Sequence, residues 1–304
     1  MIYSILFICL NLNYSNVTEV NKFNISISIN KFICLSPRTS ACARPRGEKN
    51  EKEFTKYIKQ FFVGLLEGDG TITVDYISDR KKRIRIFIAL NNLEENRFMV
   101  DLIVRYIGGR KAIERNNRYV TWYATNRIDL AKVLAIIDKY PLLSSRKLCQ
   151  LDFAKGFINS TKDMSKEEFY RLRDDKYKNQ KTMLDLYDKN FCLPNYFSGW
   201  LSGFIESEGH FKLVKTAKNS IKKGLRPPQL VIGQNNEKHL LKAILTHFNL
   251  GNNKISTTLN KQGVIYYKIH LAGKDFRSLL ASHFNYYPLL GDKWTKYQKW
   301  VNNH

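Results

Sequence analysis

Acidic residues are scarce in this sequence: 27 Asp and Glu stand against 50 Lys and Arg in 304 residues, leaving a net charge of +23. A positive excess of that size points to a polyanionic partner, most often nucleic acid, with a merely basic surface or a membrane-surface protein as the plainer alternatives. Cysteine is sparse as well. Cys9, Cys34, Cys42, Cys149 and Cys192 form an odd set without CxxC spacing, which supports neither a disulfide framework nor a zinc site and fits a reducing compartment. No apolar run reaches the length of a membrane span, so no membrane partner is expected. The apolar start, Met1 to Leu12, has no positive region before it, unlike a signal peptide, and it lacks the Arg-rich amphipathic character of a transit peptide. Residues 1–50 are expected to be an extension outside the fold. With 43% hydrophobic and 13% aromatic residues, the charge is not that of a disordered basic tail.

What the chain does have is one short stretch written twice. Phe62-Val63-Gly64-Leu65-Leu66-Glu67-Gly68-Asp69-Gly70 returns as Leu201-Ser202-Gly203-Phe204-Ile205-Glu206-Ser207-Glu208-Gly209. Each copy is an apolar run with two small residues four apart, closing on acid-x-acid-Gly. Positions i and i+4 share a helix face, so two such helices can lay their small faces together with backbones almost touching. The last Gly suits the left-handed position that ends a helix. Asp69 and Glu208 then fall at helix C-termini, where the macrodipole disfavours a carboxylate by a few tenths to about 1 kcal/mol. Bringing the two ends together adds like-charge repulsion. A compensating cation answers both costs, and two carboxylates with backbone carbonyls suit a hard ion such as Mg²⁺ or Mn²⁺. A single such acid would be read as a solvated surface group; the repetition argues otherwise.

Both stretches resemble the signature of the LAGLIDADG homing endonucleases in their single-chain, two-repeat form, and the likeness extends over roughly residues 55 to 301. The segments after each copy support a duplication. Thr71 to Ile77 alternates with period two, as does Arg83-Ile84-Arg85-Ile86-Phe87-Ile88, which sets arginines on one face and isoleucines on the other. The spacing predicts helices over 96–107 and 128–140, strands over 111–115 and 118–125, and in the second half strands over 210–216, 230–234, 254–259 and 264–271 around helices at 239–248 and 275–284. Asp69 and Glu208 lie 139 positions apart, and Tyr140-Pro141-Leu142-Leu143 recurs as Tyr287-Pro288-Leu289-Leu290, 147 positions on; a longer loop in the second half accounts for the difference. The expected fold is α+β: two pseudo-symmetric αββαββα repeats (51–158 and 195–304) joined by a charged connector (159–194). Their paired antiparallel sheets form a saddle, with the signature helices at the interface.

The resemblance implies one long, asymmetric double-stranded DNA target, lying against the sheets in the major groove, and hydrolysis of both strands by metal ions on Asp69 and Glu208, with the carbonyls of Gly68 and Ser207 as further ligands. Glu67 and Glu206 are assigned to packing and capping. A basic residue five positions past the Pro of each repeat is implied to stabilise the phosphate: Lys293 in the second, and in the first either Arg146 or its neighbour Lys147. Asn92 and Asn235 align with a solvent-positioning residue. The outward strand positions Thr71, Thr73, Arg83, Arg85, Arg115, His210, Lys212, Arg226 and Lys268 are candidate DNA contacts. His210 has no second histidine at ligand spacing and reads as a surface residue. Two other classes stay open: a maturase binding its own intron RNA, and a non-catalytic DNA-binding repressor. Intact acids favour cleavage. A monomer is expected, and a mitochondrial location follows from family habit and a composition suited to an AT-rich genome.

Overall fold

A computed structural model describes residues 48–158, 163–212, 228–259, 261 and 263–302. The extension at 1–47 and the basic loop carrying Lys222, Lys223 and Arg226 lie outside the described residues. So do Cys9, Cys34 and Cys42, while Cys149 is a buried free thiol and Cys192 an exposed one. Among the described residues no helix is long and apolar enough to cross a membrane.

The first repeat begins with α1 (Glu48–Gly68), followed by β1 (Gly70–Ser78), β2 (Lys81–Asn91), α2 (Glu94–Ile107), β3 (Arg110–Glu114), β4 (Tyr119–Ala124), α3 (Arg127–Lys139) and α4 (Ser145–Lys155). The second repeats the order as α7 (Phe197–Glu208), β5 (His210–Lys212), β6 (Gln229–Asn235), α8 (Lys238–His247), β7 (Ser256–Leu259), β8 (Ile265–Ala272), α9 (Lys274–Tyr286) and α10 (Asp292–Asn302). The strands form antiparallel sheets ordered β1-β2-β4-β3 and β5-β6-β8-β7. The duplicated α+β architecture read from the sequence is therefore present, with one addition. Each repeat carries a further helix, α4 or α10, after its Pro-Leu-Leu segment.

Period-two alternation decides which side of each sheet meets the helices. In the first sheet Ile72, Val74, Ile86, Ile88, Val120 and Trp122 are buried inward, while Thr71, Thr73, Arg85 and Phe87 share the opposite face by register. Trp122 donates its indole N–H to the Gly108 carbonyl at 2.8 Å, where Gly108 and Gly109 take φ of 101° and 85°, a turn only glycine enters without strain.

The connector holds α5 (Lys166–Asp174) and α6 (Gln180–Asn190). It is docked rather than free: Phe169 is 1% exposed among Tyr76, Phe153 and Phe157. Phe169, with Tyr170 and Leu172 packed beside it, anchors this charged helix to the first repeat.

The repeats meet where α1 crosses α7, and the small residues set the distance. A Cβ built on Gly64 would stand 1.9 Å from the Trp200 carbonyl oxygen, and one on Gly203 would stand 1.9 Å from that of Phe61. Gly68 meets Ser207 in the same way, at 2.0 Å from its Oγ. The Gly64 and Gly203 contacts are related by a pseudo-two-fold, backbone against backbone, and around them Phe61, Phe62, Leu65, Leu66, Trp200, Leu201, Phe204 and Ile205 are at most 1% exposed. Burial of each contributes about 2 kcal/mol.

The closing glycines behave otherwise than expected. Gly209 has φ −70° and ψ 136°, and Gly70 has no positive φ either. The chain passes straight from helix into strand, so no left-handed residue is needed. Glycine stands there because a Cβ on Gly70 would lie 2.4 Å from the Leu66 oxygen, and on Gly209 2.6 Å from that of Ile205.

Gly64→Ala and Gly203→Ala are expected to destabilise the protein by about 3 kcal/mol or more in urea unfolding, since rigid backbone must retreat. Gly251→Ala, at a site with nothing within 4 Å, is expected to stay within about 1 kcal/mol of wild type. Equal effects at the three sites would contradict the close-packed interface.

Candidate nuclease centre and nucleic-acid interface

The helix crossing delivers Asp69 and Glu208 to one place. α1 ends at Gly68, and the Asp69 amide still bonds the Leu65 carbonyl at 3.1 Å. A Cβ on Gly68 would lie 3.0 Å from Cγ of Glu208, which places the end of the first helix against the second acid. Asp69 reaches solvent while Glu208 is half-buried, and crowding by protein raises both carboxyls above their usual range. Asp69 further raises Glu208 by repulsion, and Lys293 and Lys147 pull both acids back down.

Those two lysines come from the added helices. Lys147 Nζ donates to the Gly70 carbonyl, and Lys293 Nζ donates to the Gly209 carbonyl and, at 3.5 Å, to that of Ser207. They are pseudo-symmetric partners, so the structure puts Lys147 rather than Arg146 beside the acids. Arg146 turns away, with its guanidinium 5.9 Å from the Tyr177 ring centroid. The segment from Pro141 to Lys147 is one residue longer than that from Pro288 to Lys293, which is why counting five from the proline lands on Arg146. Burial lowers the pKa of both lysines.

Glu67 and Glu206 hold these helices in place. Glu67 accepts hydrogen bonds from the Leu143 amide and from the amide and hydroxyl of Ser144. Glu206 accepts from the amides of Leu290, Gly291 and Lys293, at 3.1, 3.1 and 3.0 Å. Each buried carboxylate thus satisfies the free donors at the start of α4 or α10, so the packing and capping assignment describes their contacts.

The solvent-positioning candidates sit elsewhere than expected. Asn92 donates to the Asn117 carbonyl at 2.7 Å and ties down the β3–β4 turn, and Asn235 is exposed on the outer face opposite Tyr266. The side chain that reaches an acid is Gln234, one residue earlier on the inward face, which hydrogen-bonds Glu208. In register its counterpart is Leu90, so the first repeat lacks the group. No pairwise signal in the sequence marked it.

Two carboxylates with nearby backbone carbonyls are a hard-oxygen donor set. Among the described residues no cluster of three or more His, Cys, Asp or Glu side chains is placed to hold a metal ion.

The outer faces of the two sheets carry most of the predicted nucleic-acid contacts. Thr71 pairs with Phe87 and Thr73 with Arg85; Arg83 and Arg85 both bond Asp75, at 3.1 and 2.7 Å. The same face adds Tyr123 on β4, in register with Phe87, and Arg110 on β3, in register with Tyr123; Arg110 was missed because β3 is too short to show alternation. On the second sheet His210 and Lys212 pair with Val231 and Gln229, and Lys268 with Gly233. His270, also missed, meets Gln229 at 3.1 Å. Arg115 is in the β3–β4 turn rather than the strand, with φ 52° and its guanidinium 5.1 Å from the Tyr119 ring centroid.

A family profile described as "LAGLIDADG endonuclease" matches residues 62–157 and 201–304, the two repeats and most of the chain. The chain belongs to the LAGLIDADG endonuclease family. A relative named probable intron-encoded endonuclease aI3, from Dictyostelium citrinum, is 31% identical over 252 residues, covering 82% of this chain and 96% of that protein. One of the same name from Debaryomyces hansenii is 30% identical over 274 residues, covering 81% of this chain but only 37% of the longer protein. Among solved structures, the LAGLIDADG meganuclease I-AabMI bound to uncleaved DNA superposes with a TM-score of 0.56 at 20% identity, covering 81% of this chain and 89% of its own. The I-LtrWI homing endonuclease bound to target DNA gives 0.58 at 17%, covering 82% and 90%. At those identities the likeness is one of fold. The LAGLIDADG signature is here Phe62 to Gly70 and Leu201 to Gly209, with both final acids present.

Burial raises Glu67 and Glu206 from 4.5 to about 7 each. A carboxyl raised on folding contributes stability that is complete below pH 4.5 and lost as pH climbs through about 7. Glu206→Gln does not titrate, so its stability relative to wild type is expected to increase over that interval in urea unfolding. A difference that does not vary with pH would rule the burial account out.

Proposed function

We propose that this chain is a site-specific endonuclease that cuts both strands of a long, asymmetric DNA target, using divalent metal at Asp69 and Glu208. The observation that carries this is the juxtaposition of the two acids with Lys147 and Lys293 at the helix crossing. The net charge of +23 and the Arg and Lys on the outer sheet faces supply the attraction to the duplex. The two faces differ in sequence, so the half-sites they read differ as well.

Asp69 and Glu208 would hold the metal, with the Gly68 and Ser207 carbonyls near enough in sequence to share in it. When bound, Mg²⁺ or Mn²⁺ supplies Lewis-acid activation of water and of the scissile phosphate. The protein's own contribution is charge and order. Lys147 and Lys293 stabilise the negative charge that develops on the phosphate oxygens, and their burial makes each interaction stronger than it would be in water. The backbone carbonyls hold both ammonium groups in place before substrate arrives. Gln234 fixes the rotamer of Glu208, a longer arm than Asp69 and more in need of a second contact.

Asp69→Asn and Glu208→Gln are each expected to bind the DNA target with affinity within a few-fold of wild type and to lose double-strand cleavage by 100-fold or more. Gel-shift titration and cleavage of labelled duplex measure the two properties separately. Wild-type cutting by either variant would remove that acid from the metal assignment.

A further inference from the structure

The helices that carry the two lysines are held from both repeats. α4 belongs to the first repeat, yet part of its N-terminus is capped by the second: Glu237, buried just before α8, accepts from the amides of Ser145 and Arg146 at 3.2 and 3.1 Å and from Ser145 Oγ at 2.6 Å. His239 adds a contact to the Leu143 carbonyl at 3.0 Å. The reverse also holds. Asn96 on α2 of the first repeat, likewise buried, accepts from the Asp292 amide at the start of α10 at 3.0 Å, while its Nδ2 donates to the Asn91 carbonyl at 3.0 Å. Glu95 accepts from Thr295 Oγ1 at 3.1 Å. Glu237 and Asn96 do not occupy equivalent positions, Glu237 preceding its helix and Asn96 lying within the first turn of α2. The same task is met by different residues, which points to a requirement of the site rather than a remnant of duplication.

Each cap lies at the turn that aims a lysine. Ser145 and Arg146 immediately precede Lys147, and Asp292 immediately precedes Lys293. The own-repeat carboxylates, Glu67 and Glu206, take the neighbouring donors. Every lysine-bearing turn is therefore clamped between one carboxylate of its own repeat and one acceptor of the other.

We propose that Glu237 and Asn96 are positioning residues acting across the interface: Glu237 sets Lys147 and Asn96 sets Lys293, so that neither half of the cutting centre is ordered without the opposite repeat. This rests on the endonuclease reading above. The pseudo-two-fold relating the lysines also relates the two strands of a duplex lying across it, so each lysine serves one strand. Losing a clamp then slows one strand and spares the other, whereas general loosening slows both.

The test is single-turnover cleavage of a duplex selected by the wild-type chain from a randomised library, with each strand labelled separately and Mg²⁺ present. Lys147→Met and Lys293→Met define which strand each lysine serves. Glu237→Ala is expected to slow the Lys147 strand about 10-fold or more relative to the other, and Asn96→Ala to slow the Lys293 strand. Glu237→Gln, which keeps an acceptor oxygen, restores the balance. The ratio of the two strands is internal to each molecule, so a partly unfolded preparation leaves it unchanged. Should Glu237→Ala fail to fold, Glu237→Asp, one methylene shorter, carries the same expectation. Equal slowing of both strands, unchanged rates, or a bias toward the wrong strand would overturn the inference while leaving the endonuclease reading intact. Failure of the unaltered chain to cut any duplex would overturn both.

Discussion

Everything in this molecule depends on two helices approaching until their backbones touch. Gly64 and Gly203 make that possible, because any larger residue would place a Cβ within 2 Å of a carbonyl oxygen of the facing helix. Close approach has a chemical result. The acids that follow the helices, Asp69 and Glu208, are carried to the same point, although their mutual repulsion and the helix dipoles both oppose it. Aromatic and aliphatic packing around the crossing supplies the energy that holds this unfavourable arrangement together.

The carboxylates inside the signature divide the labour by position. Glu67 and Glu206 point back into the protein and organise the starts of α4 and α10; Asp69 is exposed to solvent and Glu208 half-exposed beside it. The two kinds lie two residues apart and are both acids, but only the inner pair accepts the amide hydrogen bonds that start α4 and α10, while all four lie within electrostatic reach of the lysines. Because the inner pair aims the lysines, the signature controls the basic part of the site as well as the acidic part. Glu237 and Asn96 extend that control across the interface, which makes the pairing of repeats part of the chemistry.

Much of this could be read from the chain alone, for physical reasons that also mark the limits. Small residues four apart have one strong structural use, and acids beside them in both copies had no packing explanation, so helix crossing and paired acids were legible. Strict alternation in 71–77 and 83–88 made the strands and their basic face equally plain. The partners of Glu67 lie 76 and 77 positions away, beyond any local pattern, so capping could be assigned but not located. Lys147 was obscured by one extra residue in a loop. Gln234 was obscured because Leu90 fills its place in the other repeat, and repetition was the only guide available. The left-handed glycine was a misreading of the right residue: Gly70 and Gly209 answer to a steric demand from the preceding turn, and a sequence does not distinguish that from a demand on φ. Helix α4 gives too weak an apolar stripe to be seen, whereas α10 carries one, Trp294, Tyr297 and Trp300 at helical spacing, that sequence reasoning missed.

The most direct measurement is cleavage of a randomised DNA-site library by the purified protein, with Mg²⁺ and with a chelator. The account predicts that one long, asymmetric sequence is enriched among the cut molecules, and only when metal is present. Tight binding of that DNA with no cutting in Mg²⁺ or Mn²⁺, or cutting that persists under chelation, would contradict it.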